Sequence, residues 1–530
     1  MLEMQACNGF MFLRRPSEPR HPALCISVLT SDFAAIDASI ASIDKEITIV
    51  MERAAVLRRV RTKLVEDGRT KRSLLCPLRR LPTEILELII RASLPDTWLM
   101  HGSGRAFLPL AQTCHRLRAT TLAMSDLWCN IRFPSQYQPK EIFLAYANCL
   151  LARARERPID LTMPKSEDSP THNSDALIDQ WVTTHVSRFR SIDWCPSRAL
   201  NASGTPSSLL NAPLLESLRI MGDEDFYSRS TSGRFPTLEI SFDAPNLRRL
   251  SLRWCSHISR VTVCWSRLQD LEIGTPILVE PDMRVLQTCT SLKTLKLALF
   301  CKPPSQTMEA AALQLRFDDL RSLTVADHGH AICQYLRAPN LVNLALETGD
   351  HAKARPTVHA SFVLDMLQAP SPPLVKSLVI NTDNYHNTAA STAPEYAAYL
   401  PILACSPALS RLELVYSNHY PGCNLKPVLQ GLILQPNTPA LLPSLDHLAL
   451  RLGQCEAFGD REAALLREII QSRSKAARER GVRPITRLTL HNGAKICGAG
   501  GCRCATKGEW QKQLEAWGTV VVRTPCGSSP

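Results

Sequence analysis

Ten times between residues 215 and 490 the chain repeats one apolar triplet, Leu-x-x-Leu-x-Leu, with Ile or Val as the occasional substitute. It runs Leu215/Leu218/Ile220, Leu247/Leu250/Leu252, Leu268/Leu271/Ile273, Leu292/Leu295/Leu297 and Leu320/Leu323/Val325. It continues as Leu341/Leu344/Leu346, Val375/Leu378/Ile380, Leu409/Leu412/Leu414, Leu445/Leu448/Leu450 and Ile485/Leu488/Leu490. The last two positions of each triplet lie two residues apart, so they share one face of a strand, and the first sits where the chain turns into it. Recurrence at intervals of about 21 to 40 residues implies stacked units, none of which can bury its own apolar face. A sheet of non-repeating units would need ten coincident triplets.

Helical stretches stand before many copies: residues 283–290 before Leu292, 362–367 before Val375, 396–405 before Leu409 and 460–480 before Ile485. Pro or Cys often falls just ahead of the strand, as in Ala-Pro-Asn-Leu247 and Ala-Pro-Asn-Leu341. Helix, turn and L-x-x-L-x-L together resemble a leucine-rich repeat. The family's Asn or Cys three residues after the last Leu stands clearly only at Cys255, and repeat length is irregular. The resemblance therefore implies an α/β fold built as an imperfect solenoid over 134–495, with parallel strands on a concave side and helices outside. Within it, residues 140–155 read as a helix and 158–163 as a strand. Residues 496–530 read as a loop followed by a helix (508–517) and a strand (519–522) that cap the open end.

Upstream the period changes. Ile36, Ile40, Ile43, Ile47, Val50, Ala54, Leu57 and Leu64 follow alternating steps of four and three, with Arg61 in the one polar seam position. Such a heptad stripe predicts a helix over 31–68, capped by Ser31 or Asp32 and ended by Gly68. It suits a coiled coil, within the chain or between two chains, and equally an amphipathic helix lying on a neighbouring domain. Residues 1–30, with Pro16, Pro19 and Pro22 and no periodicity, read as disordered. Arg69, Lys71, Arg72, Arg79 and Arg80 form a basic linker.

Residues 74–133 read as a small all-α domain. Pro82 suits the first helical position, where its missing N–H costs nothing, and Glu84 falls in the first turn, where the helix dipole favours an acid. Ile85, Leu86, Leu88, Ile89 and Ile90 then give an apolar surface too broad for a lone helix. A second helix is predicted over 108–120 from Leu110, Cys114 and Leu117, and Trp128 follows. Leu81-Pro82-Thr83-Glu84-Ile85-Leu86 with Ile89, then Cys114-His115-Arg116-Leu117-Arg118, then Leu127-Trp128 resemble an F-box, whose pattern is L-P-x-E-[IL]-L-x-x-I, V-C-[KR]-x-W-[RK] and L-W. Thr113, His115 and Leu117 depart from that pattern, and residues 96–105 look like an insertion. The order of helix, basic linker and F-box is similar to large F-box families of mushroom-forming fungi.

Composition sets the remaining limits. With 45% hydrophobic and 21% charged residues in 530, the chain reads as a folded, soluble protein of several domains or one long array. No run of about 18 apolar residues predicts a membrane span, and the first thirty residues lack the pattern of a secretory signal. Nineteen cysteines are scattered without a C-x-x-C pair, which fits a reduced, cytoplasmic or nuclear chain using Cys as a small hydrophobe. The spacing of Cys497, Cys502 and Cys504 near His491 lacks the paired knuckle of a structural zinc site, so no metal is expected. The net charge of +12 favours acidic partners, but no basic run is interleaved with stacking aromatics, which argues against nucleic acid.

No phosphate-binding loop, dinucleotide fingerprint, zinc-protease helix or nucleophile elbow occurs, and His185, His257 and His330 stand apart from one another. The expectation is a chain without catalytic residues or cofactor. Resemblance to F-box proteins implies docking on the Skp adaptor of a cullin-based ubiquitin ligase through Leu81, Pro82, Glu84, Ile85, Leu86, Ile89, Cys114, Leu117 and Trp128, with a protein target held on the repeats. A scaffold with a degenerate F-box, dimerising through the heptad stripe, and a basic nucleic-acid-associated protein are the alternatives.

Overall fold

A computed structural model describes residues 22–75, 80–94, 112–132, 140–163, 176–194, 209–221, 239–255, 257–275, 278–299, 314–347, 356–381, 396–416, 426–435, 439–452, 460–492 and 519–524. By their contacts the residues form two units, Met1–Arg91 and Ala92–Pro530.

The first unit contains α1, Pro22–Leu75. It is longer than the stripe predicts at both ends. Residues 22–30, expected to be disordered, are helical, and neither Ser31 nor Asp32 caps the start. Pro22 is its first described residue, and a proline's fixed φ suits an early helical position. Gly68 does not end the helix: a side chain there would meet nothing within 4 Å, and seven further residues stay helical. An interior glycine costs only about 1 kcal/mol relative to alanine, which the flanking Glu66, Arg69 and Lys71 tolerate. Hydroxyls inside the helix bond back one turn, Thr48 to the Asp44 carbonyl at 2.8 Å and Thr62 to that of Arg58 at 2.9 Å.

Helix α2, Thr83–Ser93, begins one residue after Pro82, whose carbonyl accepts the Leu86 N–H at 3.2 Å. Glu84 lies in its first turn, and Glu87 and Arg91 pair across one turn at 3.4 Å.

The second unit is mixed α/β and is organised by one parallel sheet of 14 strands in strictly sequential order. These are β1 (Asn130–Arg132), β2 (Ile159–Thr162), β3 (Phe189–Trp194), β4 (Ser217–Met221), β5 (Arg249–Arg253), β6 (Asp270–Thr275) and β7 (Thr294–Leu299). They are followed by β8 (Ser322–Asp327), β9 (Asn343–Glu347), β10 (Ser377–Asn381), β11 (Arg411–Tyr416), β12 (His447–Leu452), β13 (Arg487–Asn492) and β14 (Val520–Thr524). From β4 to β13 each strand carries the last two positions of one triplet. Register pairs Leu218 with Leu250, Leu271, Leu295, Leu323, Leu344, Leu378, Leu412, Leu448 and Leu488 in turn. None of the triplet side chains is more than 4% exposed.

The first triplet position closes a tight turn. The N–H of Leu215, Leu247, Leu341, Leu409 and Leu445 each bonds the carbonyl three residues back at 3.1 Å. The next residue's carbonyl then accepts two N–H groups from the following repeat: Glu216 from Arg248 and Arg249, Lys293 from Arg321 and Ser322, Ser410 from Asp446 and His447. The fork recurs along the sheet and the turn at those repeats, so strand entry is fixed locally and irregular repeat length is taken up elsewhere.

Helices pack on the leucine face. They are α3 (His115–Ala123), α4 (Lys140–Ala154), α5 (Ala176–His185), α6 (Glu280–Gln287), α7 (Pro356–Leu367), α8 (Leu400–Ala404), α9 (Lys426–Leu432) and α10 (Asp460–Arg480). From α4 to α10 they contribute Leu150, Val182, Leu286, Val363, Ile402, Leu429 and Ile469 to the core formed with the strand leucines and isoleucines.

The helix expected over 108–120 is corrected. Cys114 is extended, with φ −159° and ψ 158°, and α3 starts after it because the Cys114 thiol accepts the Leu117 N–H at 3.5 Å, acting as an N-cap. Cys114 and Leu117 therefore do not share a helical face, and Leu110 lies outside the described residues. The predicted insertion at 96–105, the helix at 508–517 and Cys497, Cys502 and Cys504 lie outside them as well, as do residues 1–21. The expected last strand is present as β14, parallel to β13.

Candidate functional site

Apart from α1, two surfaces of the described residues carry side chains that the core does not consume. The first is α2. Leu86 and Ile90 are buried, whereas Ile85 is 41% and Leu88 58% exposed. Pro82 and Glu84 are exposed, and Leu81 and Ile89 are half-buried. A helix whose broad apolar surface is divided in this way anchors itself with one edge and leaves the other facing water.

The remaining F-box-like residues belong to the second unit. Cys114 is half-buried at the head of α3, and Leu117 is buried within it. Trp128 ends a short 3-10 turn, Ser125–Trp128, and joins the core beneath β1, with the Arg153 guanidinium 4.7 Å from its ring. Leu117 and Trp128 are thus core side chains.

The second surface is the sheet face opposite the leucines. The residue between the last two triplet positions points there, and register strings these residues into one row: Arg219, Ser251, Glu272, Lys296, Thr324, Ala345, Val379, Glu413, Ala449 and Thr489. Charges cluster at two places along it. Glu272 accepts hydrogen bonds from Ser251 at 2.8 Å and from Arg253 Nε at 2.9 Å, and Lys296 reaches Glu347 at 3.6 Å. Burial alone would raise the Glu272 carboxyl, but the bonds from Arg253 and Ser251 and the charges of Arg253 and Lys296 outweigh it and hold the group below its ordinary range.

Five strands beyond Glu272, about 24 Å at the usual strand spacing, Glu413 is buried between Arg411 at 3.0 Å and Arg451 at 3.3 Å. Beside it His447 Nε2 lies 2.9 Å from the Thr489 hydroxyl. Burial and the neighbouring Arg411 and Arg487 charges lower the affinity of His447 for a proton. Between the two clusters Ser322, Thr324, Ala326, Asn343, Ala345, Ser377 and Val379 are small and uncharged. Such a face, small neutral side chains crossed on one side by the Lys296–Glu347 pair, can seat a bulky side chain and orient what surrounds it.

The histidines are structural in setting. The ring of His257 is 3.4 Å from the Asp282 carboxylate, which also accepts the N–H groups of Ser259 at 2.8 Å and Val279 at 3.1 Å and so ties the start of α6. His330 is buried and bonds the Asp327 carbonyl; burial pushes its proton affinity down to a pKa of about 4, with a smaller contribution from His328 in the same direction. The thiols of Cys289 and Cys333 are pushed up to about 12 by burial, which makes them packing groups and not nucleophiles. Among the described residues no group of three His, Cys, Asp or Glu is placed to hold a metal ion, and no helix is long and apolar enough to cross a membrane.

Sequence reasoning missed Arg473. It is buried in α10 and donates to the carbonyls of Leu441, Leu442 and Leu445 at 3.2, 2.6 and 3.4 Å, which locks the turn entering β12. Its spacing from Leu466, Ile469 and Ile470 was the available signal, because an arginine three residues past a buried isoleucine faces the core.

Compared with family models, curated proteins and solved structures, the chain matches none.

Proposed function

We propose that the chain is a non-catalytic substrate receptor, the F-box subunit of a cullin-type ubiquitin ligase working in the cytoplasm or nucleus. Leu81, Pro82, Ile85 and the edge of α2 dock on the Skp adaptor, which joins the cullin. The repeat array, read as an irregular leucine-rich-repeat solenoid, holds a protein target on its exposed strand face. The observation that carries this reading is the division of α2, in which Ile85 and Leu88 face water beside a Leu-Pro turn while Leu86 and Ile90 are buried. Solvent-facing isoleucine and leucine on a short helix suit an adaptor groove.

The receptor supplies no chemistry. Holding a target near a charged conjugating enzyme raises the effective concentration of its lysines, and the transfer itself belongs to the partners. Chemistry within the chain is not needed for that role, and the inert setting of Cys289, Cys333 and His330 agrees with it.

The test is capture of the Skp adaptor by the purified full chain, beside the variant Leu81→Asp/Ile85→Asp. Both substituted side chains lie outside the buried set, so the variant keeps its fold. Capture by the intact chain and loss with the variant is the expected result; no capture by either rejects the reading and puts the scaffold alternative first.

A further inference from the structure

Helix α1 exposes a second and longer apolar seam. Phe33, Ile36, Ile40, Ile43, Ile47, Val50, Leu57 and Leu64 are between 51 and 68% exposed. In a heptad frame Phe33, Ile40, Ile47, Ala54 and Arg61 take the a positions, and Ile36, Ile43, Val50, Leu57 and Leu64 take the d positions. The seam from Phe33 to Leu64 is about 48 Å long at 1.5 Å per residue. A strict 3.5-residue period fits a left-handed pair of helices, in which a and d side chains fill holes on the facing helix. We infer that this seam is covered by α1 of a second copy of the chain, and that the two helices run antiparallel.

Charge decides the direction. Residues 31–50 carry four acids, Asp32, Asp37, Asp44 and Glu46, against the single base Lys45. Residues 51–72 carry eight bases against the three acids Glu52, Glu66 and Asp67. A parallel pair in register lays like on like. It stacks Arg61 on its own copy inside the seam, and the flanking contacts from each g position to the next e position set Asp32 against Asp37 and Arg53 against Arg58.

An antiparallel pair reverses this. With its dyad between Thr48 and Ile49, residue i lies level with residue 97 − i of the other copy. Ile47 then meets Val50, Ile40 meets Leu57, Phe33 meets Leu64, and Ile43 meets the small Ala54. Each seam layer is filled, and the acidic half of one helix lies along the basic half of the other. Along the flanks Glu46 faces Arg53, and Asp37 and Asp44 face Arg58. Arg61 enters the layer of Ile36, beside Asp37, so the one charge in the seam meets an opposite charge. Opposite charges at flanking positions select partner and direction in helix pairs.

This inference is independent of adaptor binding, because it uses no residue of α2. Its test is sedimentation of the full chain over a range of micromolar concentrations, beside Arg53→Glu and Glu46→Arg/Arg53→Glu. The wild type is expected to be a dimer. Arg53→Glu sets Glu46 against a new acid at both ends of the dyad and is expected to weaken the dimer about tenfold. The double variant exchanges the two charges and is expected to regain most of the loss. In a parallel pair Arg53→Glu would strengthen association through Arg58, so that outcome overturns the direction. A wild type that stays monomeric throughout overturns the dimer. A benzoylphenylalanine photo-crosslinker at Ile40 gives an independent readout: crosslinks near Leu57 of the other copy are expected, and crosslinks near Ile40 itself contradict the arrangement.

Discussion

Two parts of this chain carry apolar patterns of equal regularity, and their burial is opposite. The triplets between Leu215 and Leu490 are hidden almost completely, while the heptad residues of α1 between Phe33 and Leu64 lie more than half exposed wherever they are large. The difference is where the partner comes from. A strand with leucines at every second position finds its neighbours one repeat away in the same chain, and 14 strands in sequential order satisfy one another. A helix with a 3.5-residue seam needs a second helix of matching length and opposite charge order, which a second copy of α1 provides. Regular pattern predicts that burial is required; it does not say by which chain.

The largest expected effect separates the two regions most sharply. Leu344→Asp puts a carboxylate into the leucine row of β9 and should destabilise the sheet by about 5 kcal/mol or more, read as the loss of its cooperative urea transition. Ile43→Asp, an equally drastic change on α1, should leave that transition within about 0.5 kcal/mol of the wild type. Equal losses from the two would erase the difference between the regions.

Next comes Arg473→Met, which should cost about 4 kcal/mol because the carbonyls of Leu441, Leu442 and Leu445 lose their buried donor. Arg473→Lys keeps the charge but cannot fork across three carbonyls, so most of the loss should persist in the same urea titration.

Acidification gives a smaller effect with a defined window. His330 binds a proton at about 4 in the folded chain against 6.5 for the free group. Between those values the unfolded chain takes up a proton that the native chain refuses. Stability should therefore be full above pH 6.5 and fall by about 3 kcal/mol as the pH drops to 4. His330→Asn retains a donor for the Asp327 carbonyl and should flatten that slope, which urea midpoints across the window would show.

The smallest effect belongs to the exposed sheet face. Glu272→Gln should cost about 1 kcal/mol, since its bonds from Ser251 and Arg253 survive in weaker form. Its depressed carboxyl contributes stability above the ordinary carboxylate range that is lost as the pH falls through the lowered value, and the variant should lack that contribution.

The large sheet was legible because period two and a repeated triplet leave few arrangements for the chain: every strand from β4 to β13 lies where a triplet predicts it. Helix α10 was legible from end to end for the same reason, an uninterrupted helical stretch closing on a strand. Helix ends were not. Gly68 reads as a stop, yet its cost is too small to stop a helix that its neighbours favour, and Cys114 reads as one of a helical row although its thiol caps the next helix. Nor was the exposed row legible as a surface. Glu272 and Glu413 acquire meaning only when register brings Arg253 and Lys296 beside the first and Arg451 beside the second, from strands 19 to 38 residues away in the chain. The two halves of the F-box-like pattern also separate in kind. Leu117 and Trp128 are core, whereas Ile85 and Leu88 are exposed, a distinction the residue types alone do not make.

The most direct measurement of the adaptor reading is amide hydrogen exchange of the full chain with and without saturating Skp adaptor. The account predicts added protection over residues 81–93, with the exposed strand face from β6 to β12 unchanged and free for a target. Protection that falls on that strand face, with none over 81–93, would contradict it.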